Sequence, residues 1–234
     1  MIVLELEYIK LKKLLKMIEI LIFIASLYLL QYSYEPVQKQ LERSTPKFKE
    51  LEGDKKFYVV KNLLKATYLA ILCLLTIILF GPYWIYDIWP NTLLNSLASM
   101  YVSNDAIGLY KIKKLKTSTR LHHYTTIIFL MISYSLDFQE SKMAKLMFLY
   151  TFASALTFPV NAYLGLRHCF DEEDLLDVCG VAYYTYAIVC FFNWFLQFYY
   201  LEQILWPYYG LISFVVYDDI VLLTWLHKKH NENH

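Results

Sequence analysis

Long apolar runs alternate with short charged stretches along this chain, and that alternation sets the expected architecture. Seven runs qualify as candidate spans: Met17–Tyr32, Phe57–Phe80, Thr92–Tyr110, Leu121–Asp137, Met143–Leu166, Cys179–Leu201 and Ile204–Leu226. Each approaches the roughly 20 apolar residues that a bilayer-crossing helix needs. The first and fourth are short, and the third is polar for its length. A soluble helical bundle would spread its charges along every helix at the 3.6-residue period. Here they gather between the runs. The pattern predicts an all-α polytopic membrane protein of about seven transmembrane helices. Residues 1–56 form an N-terminal span with a charged loop, 57–226 a transmembrane domain, and 227–234 a short tail.

Sixteen residues precede the first run, Glu19 interrupts it, and no small-x-small cleavage site follows. It therefore reads as a retained span rather than a cleaved signal. Lys61 and Lys65, one turn apart in the second run, are expected to snorkel to the surface, and Glu19 likewise. Pro159 removes a backbone donor from the fifth run and predicts a kink there. The longest soluble stretch is expected at Ser33–Lys56, and the acidic DEEDLLD segment, Asp171–Asp177, as a solvated loop.

The net charge of +1 carries no information, but its distribution does. Alternating the loops across the bilayer puts six basic residues on one side and sixteen on the other. The densest loop, KIKKLKTSTR at 111–120, has five basic and no acidic residues. The positive-inside rule then places the C-terminus in the cytosol and the N-terminus in the lumen, against the pull of the lysines at 10–16. Phe198, Tyr199, Tyr200, Trp206, Tyr208, Tyr209, Tyr83, Trp84, Tyr86 and Trp89 are expected at one aromatic rim. The four cysteines form no CxxC pair, so neither a disulfide framework nor a zinc spacing is present, and no metal site is expected.

Candidate chemistry concentrates on three runs. His122 and His123 stand at the mouth of the fourth. His122, Thr126, Ser133 and Asp137 share one stripe, and His123 points about 100° away. Hydrocarbon cannot satisfy such a stripe, so it should face the bundle interior. The third run carries Ser99, Ser103 and Asp105, the aspartate lying about 9 Å inward from Lys111 at 1.5 Å per residue. A carboxylate that orients an imidazole is a common partner of a catalytic histidine. Asp218 and Asp219 lie inside the last run, where two adjacent charges need water or a proton. The expected catalytic candidates are His122, His123 and Asp105. Thr126, Ser133, Ser99, Ser103, Asp218 and Asp219 are expected to line a cavity inside the bundle.

The stretch SMYVSNDAIGLYKIKKLKTSTRLHHYTTIIFLMIS, Ser99–Ser133, resembles the TLC domain family, which includes the ceramide synthases and the TRAM translocation proteins. Asp105, a basic connection, His122-His123 and Thr126 follow that family's order and spacing. SALTFPVNAYLGLR, Ser154–Arg167, is similar to a proline-asparagine segment of many members. The resemblance implies six helices around a lipid-sized cavity with the first span peripheral. It also implies an endoplasmic reticulum or other endomembrane location. In ceramide synthases the paired histidines serve acyl transfer from acyl-CoA. This chain lacks the His-Asp-x-x-Ser-Asp run of that branch and has Ala155 near the place of another member acid. The resemblance thus implies a member outside the ceramide synthase branch, which binds or regulates membrane lipids without a resident cofactor. Two alternatives stand beside it. One is an acyltransferase with acyl-CoA as co-substrate; the other is a trafficking or translocon-associated adaptor. Membrane lipids and the bilayer are the expected partners, and nucleic acid is not.

Overall fold

The apolar runs are helices in the computed structural model, which describes residues 2–112, 115–200 and 205–232. Lys113 and Lys114 of the basic loop, the 202–203 turn and the span ends at Leu201 and Ile204 lie outside the described residues. Nine helices occur among those described: α1 (Ile2–Ser44), α2 (Pro46–Lys49), α3 (Gly53–Ile85), α4 (Asn91–Lys111), α5 (Thr117–Ser133), α6 (Lys142–Ala155), α7 (Phe158–Leu166), α8 (Leu176–Tyr199) and α9 (Trp206–Glu232). A 3₁₀ turn, Glu173–Leu175, leads into α8.

Four helical segments are long and apolar enough to cross a membrane: Lys13–Ser44, Gly53–Ile85, Glu173–Tyr199 and Trp206–Glu232. The pair α6–α7, bent by 40° at its break, makes a fifth if it is one span. Their outward faces are apolar. Leu74, Ile78, Ile188, Phe191 and Phe195 are all exposed, far more greasy surface than a soluble monomer carries. The chain is therefore an integral membrane protein.

Packing follows from which helix has a polar flank to hide. Helices α3, α4, α5, α9, α8 and the bent α6–α7 rod touch in that order and close a ring, while α1 lies outside against α4 and α3. Helix α4 is the most enclosed: twelve of its 21 residues are buried, among them Asn95, Ser99, Ser103, Asn104 and Asp105. One apolar cluster joins α3, α4 and α6 through Leu72, Phe80, Leu97, Tyr101 and Phe148. Another joins α5, α6 and α9 through Phe129, Met147, Ile212 and Val215.

Several expectations are corrected by this packing. The charged stretch Ser33–Lys56 is mostly helical, because α1 runs on to Ser44 and α3 begins at Gly53. Between them Phe48 of α2 is wholly buried against Val59 and Val60. The acidic segment is not free-standing: Asp171 pairs with Lys47, Glu172 with Lys229 at 3.6 Å, and Leu175 is buried. Trp89 and Tyr208 leave the aromatic rim and turn inward, Tyr208 donating to Gln197 at 2.8 Å. Asp137 is off the α5 stripe. The helix ends at Ser133, and Asp137 accepts from the Gln139 backbone at 2.9 Å. The break at Leu156–Thr157 follows from Pro159, which cannot continue α6 and instead sits in the first turn of α7.

Close approach of α7 to α3 depends on Gly165. A Cβ there would lie 2.7 Å from Leu63 Cγ and 3.3 Å from the Val59 carbonyl oxygen. Gly165→Ala should therefore cost about 1–3 kcal/mol through overpacking. Gly210→Ala, which meets nothing within 4 Å, should leave stability nearly unchanged. Thermal unfolding in detergent compares the two.

Candidate functional site

A single carboxylate collects three helices. Asp105 of α4 is fully buried. Its Oδ1 accepts from Lys65 Nζ of α3 at 2.9 Å, and its Oδ2 accepts from Thr126 Oγ1 of α5 at 2.9 Å. His123 Nδ1, also on α5, lies 3.0 Å from Oδ1. The i, i+3 spacing sets His123 and Thr126 side by side on α5, so both reach the same acid. A buried charge needs such partners, since one left unpaired is costly.

The second histidine has its own acid. His122 Nδ1 lies 3.3 Å from Asp218 Oδ2 of α9, and Thr119 donates to Asp218 Oδ1 at 3.1 Å. Successive residues of a helix diverge by about 100°. Asp219 accordingly turns from α5 toward α6 and α8, accepting from Tyr150 and, at 2.9 Å, from Tyr186. The imidazole–carboxylate approaches are close ion-pair contacts rather than aligned hydrogen bonds. Nδ1 of both rings and Nε2 of His123 are buried without a hydrogen-bond partner. The two rings stand edge to face with centroids 5.4 Å apart.

Of these groups Lys65, His122, His123, Asp218 and Asp219 front a cavity of about 360 Å³ at the end of the bundle that carries the α4–α5 connection and the C-terminal part of α9. Lys61, Lys65, Lys116, Arg167, Asp218 and Asp219 line it. A narrow apolar slot of about 40 Å³ lies beside it among Val102, Phe129, Leu130, Met147 and Ile212. Tyr101, His122 and Ser154 line both spaces. Near Arg167, burial and then the guanidinium charge push the His168 imidazole below its ordinary value. It is therefore neutral at pH 7 and adds no charge beside Arg167.

The three catalytic candidates, His122, His123 and Asp105, are brought together. Thr126 and Ser133 line the slot, and Asp218 and Asp219 the cavity. Ser99 and Ser103 line neither: they donate to the carbonyls of Asn95 and Met100 on their own helix, each at 2.6 Å. Lys61 and Lys65 do not snorkel outward but turn into the cavity. Glu19 does not reach a surface either; it is 3% exposed, with Asn95 Nδ2 3.4 Å from its carboxylate. Lys65 could have been read from the α3 stripe, since it stands i+3 from buried Asn62 and i−4 from buried Leu69. Tyr150 and Tyr186 carry no such signal, because a tyrosine in a span is ordinary.

Asp105, His122 and His123 offer donor atoms all within 4.8 Å of one another, a spacing that suits a metal ion. The charge does not. The position a dication would take on Asp105 Oδ1 is held by the Lys65 ammonium, with Lys61 lining the same cavity. The arrangement suits proton transfer or recognition of a polar head better than cation binding. Comparison of the chain with family models, curated proteins and solved structures finds no match.

Removing one partner of a buried ion pair costs about 3–5 kcal/mol, whereas removing both is far milder. Asp105→Leu alone should lower stability by that amount, and Lys65→Met alone by somewhat less. The double variant should recover most of the loss. A melting-temperature cycle in detergent checks it; additive losses would show that the pair does not couple.

Proposed function

We propose that this integral membrane protein binds an amphiphilic membrane lipid, with the polar head in the charged cavity and the start of an acyl chain in the adjoining slot. The observation that carries this reading is that Tyr101, His122 and Ser154 line both spaces, so the charged cavity and the apolar slot are neighbours. A lipid needs a polar place and an apolar place side by side, and these residues border both. The likeness of Asp105, His122-His123 and Thr126 to the TLC pattern supports the same reading, as does the ring of six rods with α1 outside it. On the topology that the basic loops imply, the mouth faces the cytosol, and an endomembrane location agrees with the family resemblance.

A second reading, lipid acyl transfer, is favoured by one specific observation. Each histidine has a carboxylate of its own, His123 with Asp105 and His122 with Asp218. Asp105 is the acid that the family pattern includes, and Asp218 of the last helix adds a second acid beside the histidines. Either imidazole could take a proton from an attacking hydroxyl or amine while its aspartate steadies the charge. The adaptor alternative has no observation of this kind behind it.

Native mass spectrometry of the purified protein tests the first reading. Wild type should carry a bound lipid, and the folded fraction of Ser154→Phe, which fills the space that Ser154 borders, should carry none. A lipid-free wild type would sink the proposal. For the second reading, thioester cleavage is followed with acyl-CoA and a long-chain amine or alcohol. His122→Ala or His123→Ala should then slow turnover by about 10²–10⁴-fold. Equal rates in both variants and wild type would remove the pair from any reaction.

A further inference from the structure

The carboxylates around the cavity are all occupied, whereas of its four lysine and arginine cations only Lys65 has a carboxylate partner among the described residues. Asp105 is held by Lys65, Thr126 and His123; Asp218 by Thr119 and His122; Asp219 by two tyrosines. Lys61, Lys116 and Arg167 line the same space. Among the described residues, none of these three has a carboxylate at ion-pair distance.

Their settings differ in a useful way. Lys61 of α3 is only 7% exposed, with its Cε beside Gly108. Burying an ammonium there with no acid in ion-pair contact is costly unless something anionic offsets it. Arg167, at the end of α7, has its guanidinium carbon 4.6 Å from the Trp225 ring centroid and 5.8 Å from that of Tyr58. The rings steady the guanidinium, and its Nε is buried with no hydrogen-bond partner. The Tyr58 side chain also takes a hydrogen bond from the guanidinium; the donors that remain, the buried Nε among them, lie in a planar fork that matches phosphate oxygens. Lys116 is exposed at the entrance, where a charge steers an anion inward.

Resting on the lipid-binding reading above, we propose that Arg167, Lys61 and Lys116 form a phosphate subsite, so that the lipid received here bears a phosphate on its head. Arg167 binds two phosphate oxygens, Lys61 meets the phosphate from below, and Lys116 gathers it from the entrance. The apolar slot takes the start of one acyl chain. Asp218 and Asp219 line the same cavity and oppose an anion, but Lys61, Lys65, Lys116 and Arg167 outnumber them there.

Two lipids with identical chains, dioleoyl phosphatidic acid and dioleoylglycerol, isolate the phosphate. Binding is measured on the full chain in an uncharged detergent, with inorganic phosphate as competitor. Phosphatidic acid should bind at least about tenfold more tightly than dioleoylglycerol, about 1.4 kcal/mol. Inorganic phosphate should compete with the former and not with the latter. Arg167→Gln and Lys116→Gln should each remove most of that preference while leaving dioleoylglycerol binding unchanged. Arg167→Lys, which keeps the charge and loses the fork, should restore only part of it. Lys61→Gln should act like Arg167→Gln; Lys116 is exposed, so its variant reports even if the Lys61 variant does not fold. Equal affinity for the two lipids, or a full preference surviving in Arg167→Gln and Lys116→Gln, would overturn the phosphate subsite and leave lipid binding standing. Binding of neither lipid would sink both.

Discussion

Everything in the interior of this bundle answers to one cost: a fully buried carboxylate, Asp105, in a chain whose exterior faces hydrocarbon. Such a charge is tolerated only when partners arrive from several directions. They arrive as Lys65 from α3 and as His123 and Thr126 from α5. Three helices are thereby fixed in register at one depth. With α4 so placed, Asn95 finds a partner too, accepting from Ser133 of α5 at 2.9 Å. The ring closes through α9 because His122, one residue away and turned about 100°, needs a partner of its own in Asp218.

The cavity is a consequence of this arrangement. Charged groups in the cluster cannot pack as densely as leucines, so space remains on their open side, while apolar contacts among α4, α5, α6 and α9 narrow the far side to a slot. Polar head space and apolar chain space then follow from the same few residues. The 40° bend at Pro159 helps, because it swings α7 onto α3 through Gly165 and brings Arg167 to the cavity wall. Recognition and any proton chemistry share a site but not the same groups: the histidines belong with the aspartates, and the unpaired cations with the incoming ligand.

Much of the fold was legible in the sequence because apolar runs need no knowledge of their neighbours. The helix positions and the break near Pro159 follow from run length and backbone chemistry alone. The core of the site was legible as well, since Asp105, His122, His123 and Thr126 are polar at spacings that a lipid-facing helix would not keep. Direction across helices was not. A lysine in a span snorkels by default, and only the presence of Asp105 opposite turns Lys65 inward. Glu19 finds Asn95 for the same reason. Ser99 and Ser103 were assigned to a cavity, yet a hydroxyl on a helix can satisfy itself on a carbonyl three or four residues back, and both do. Asp137 fell off its stripe because a helix end is poorly marked in an apolar run.

Histidine ¹⁵N NMR in nanodiscs tests the central claim most directly, with His122→Ala and His123→Ala used for assignment. If Asp105 organises the site, Asp105→Asn moves the Nδ1 resonance of His123 and leaves that of His122, held by Asp218, nearly in place. Unchanged resonances for His123, or equal shifts of both rings, would contradict the account.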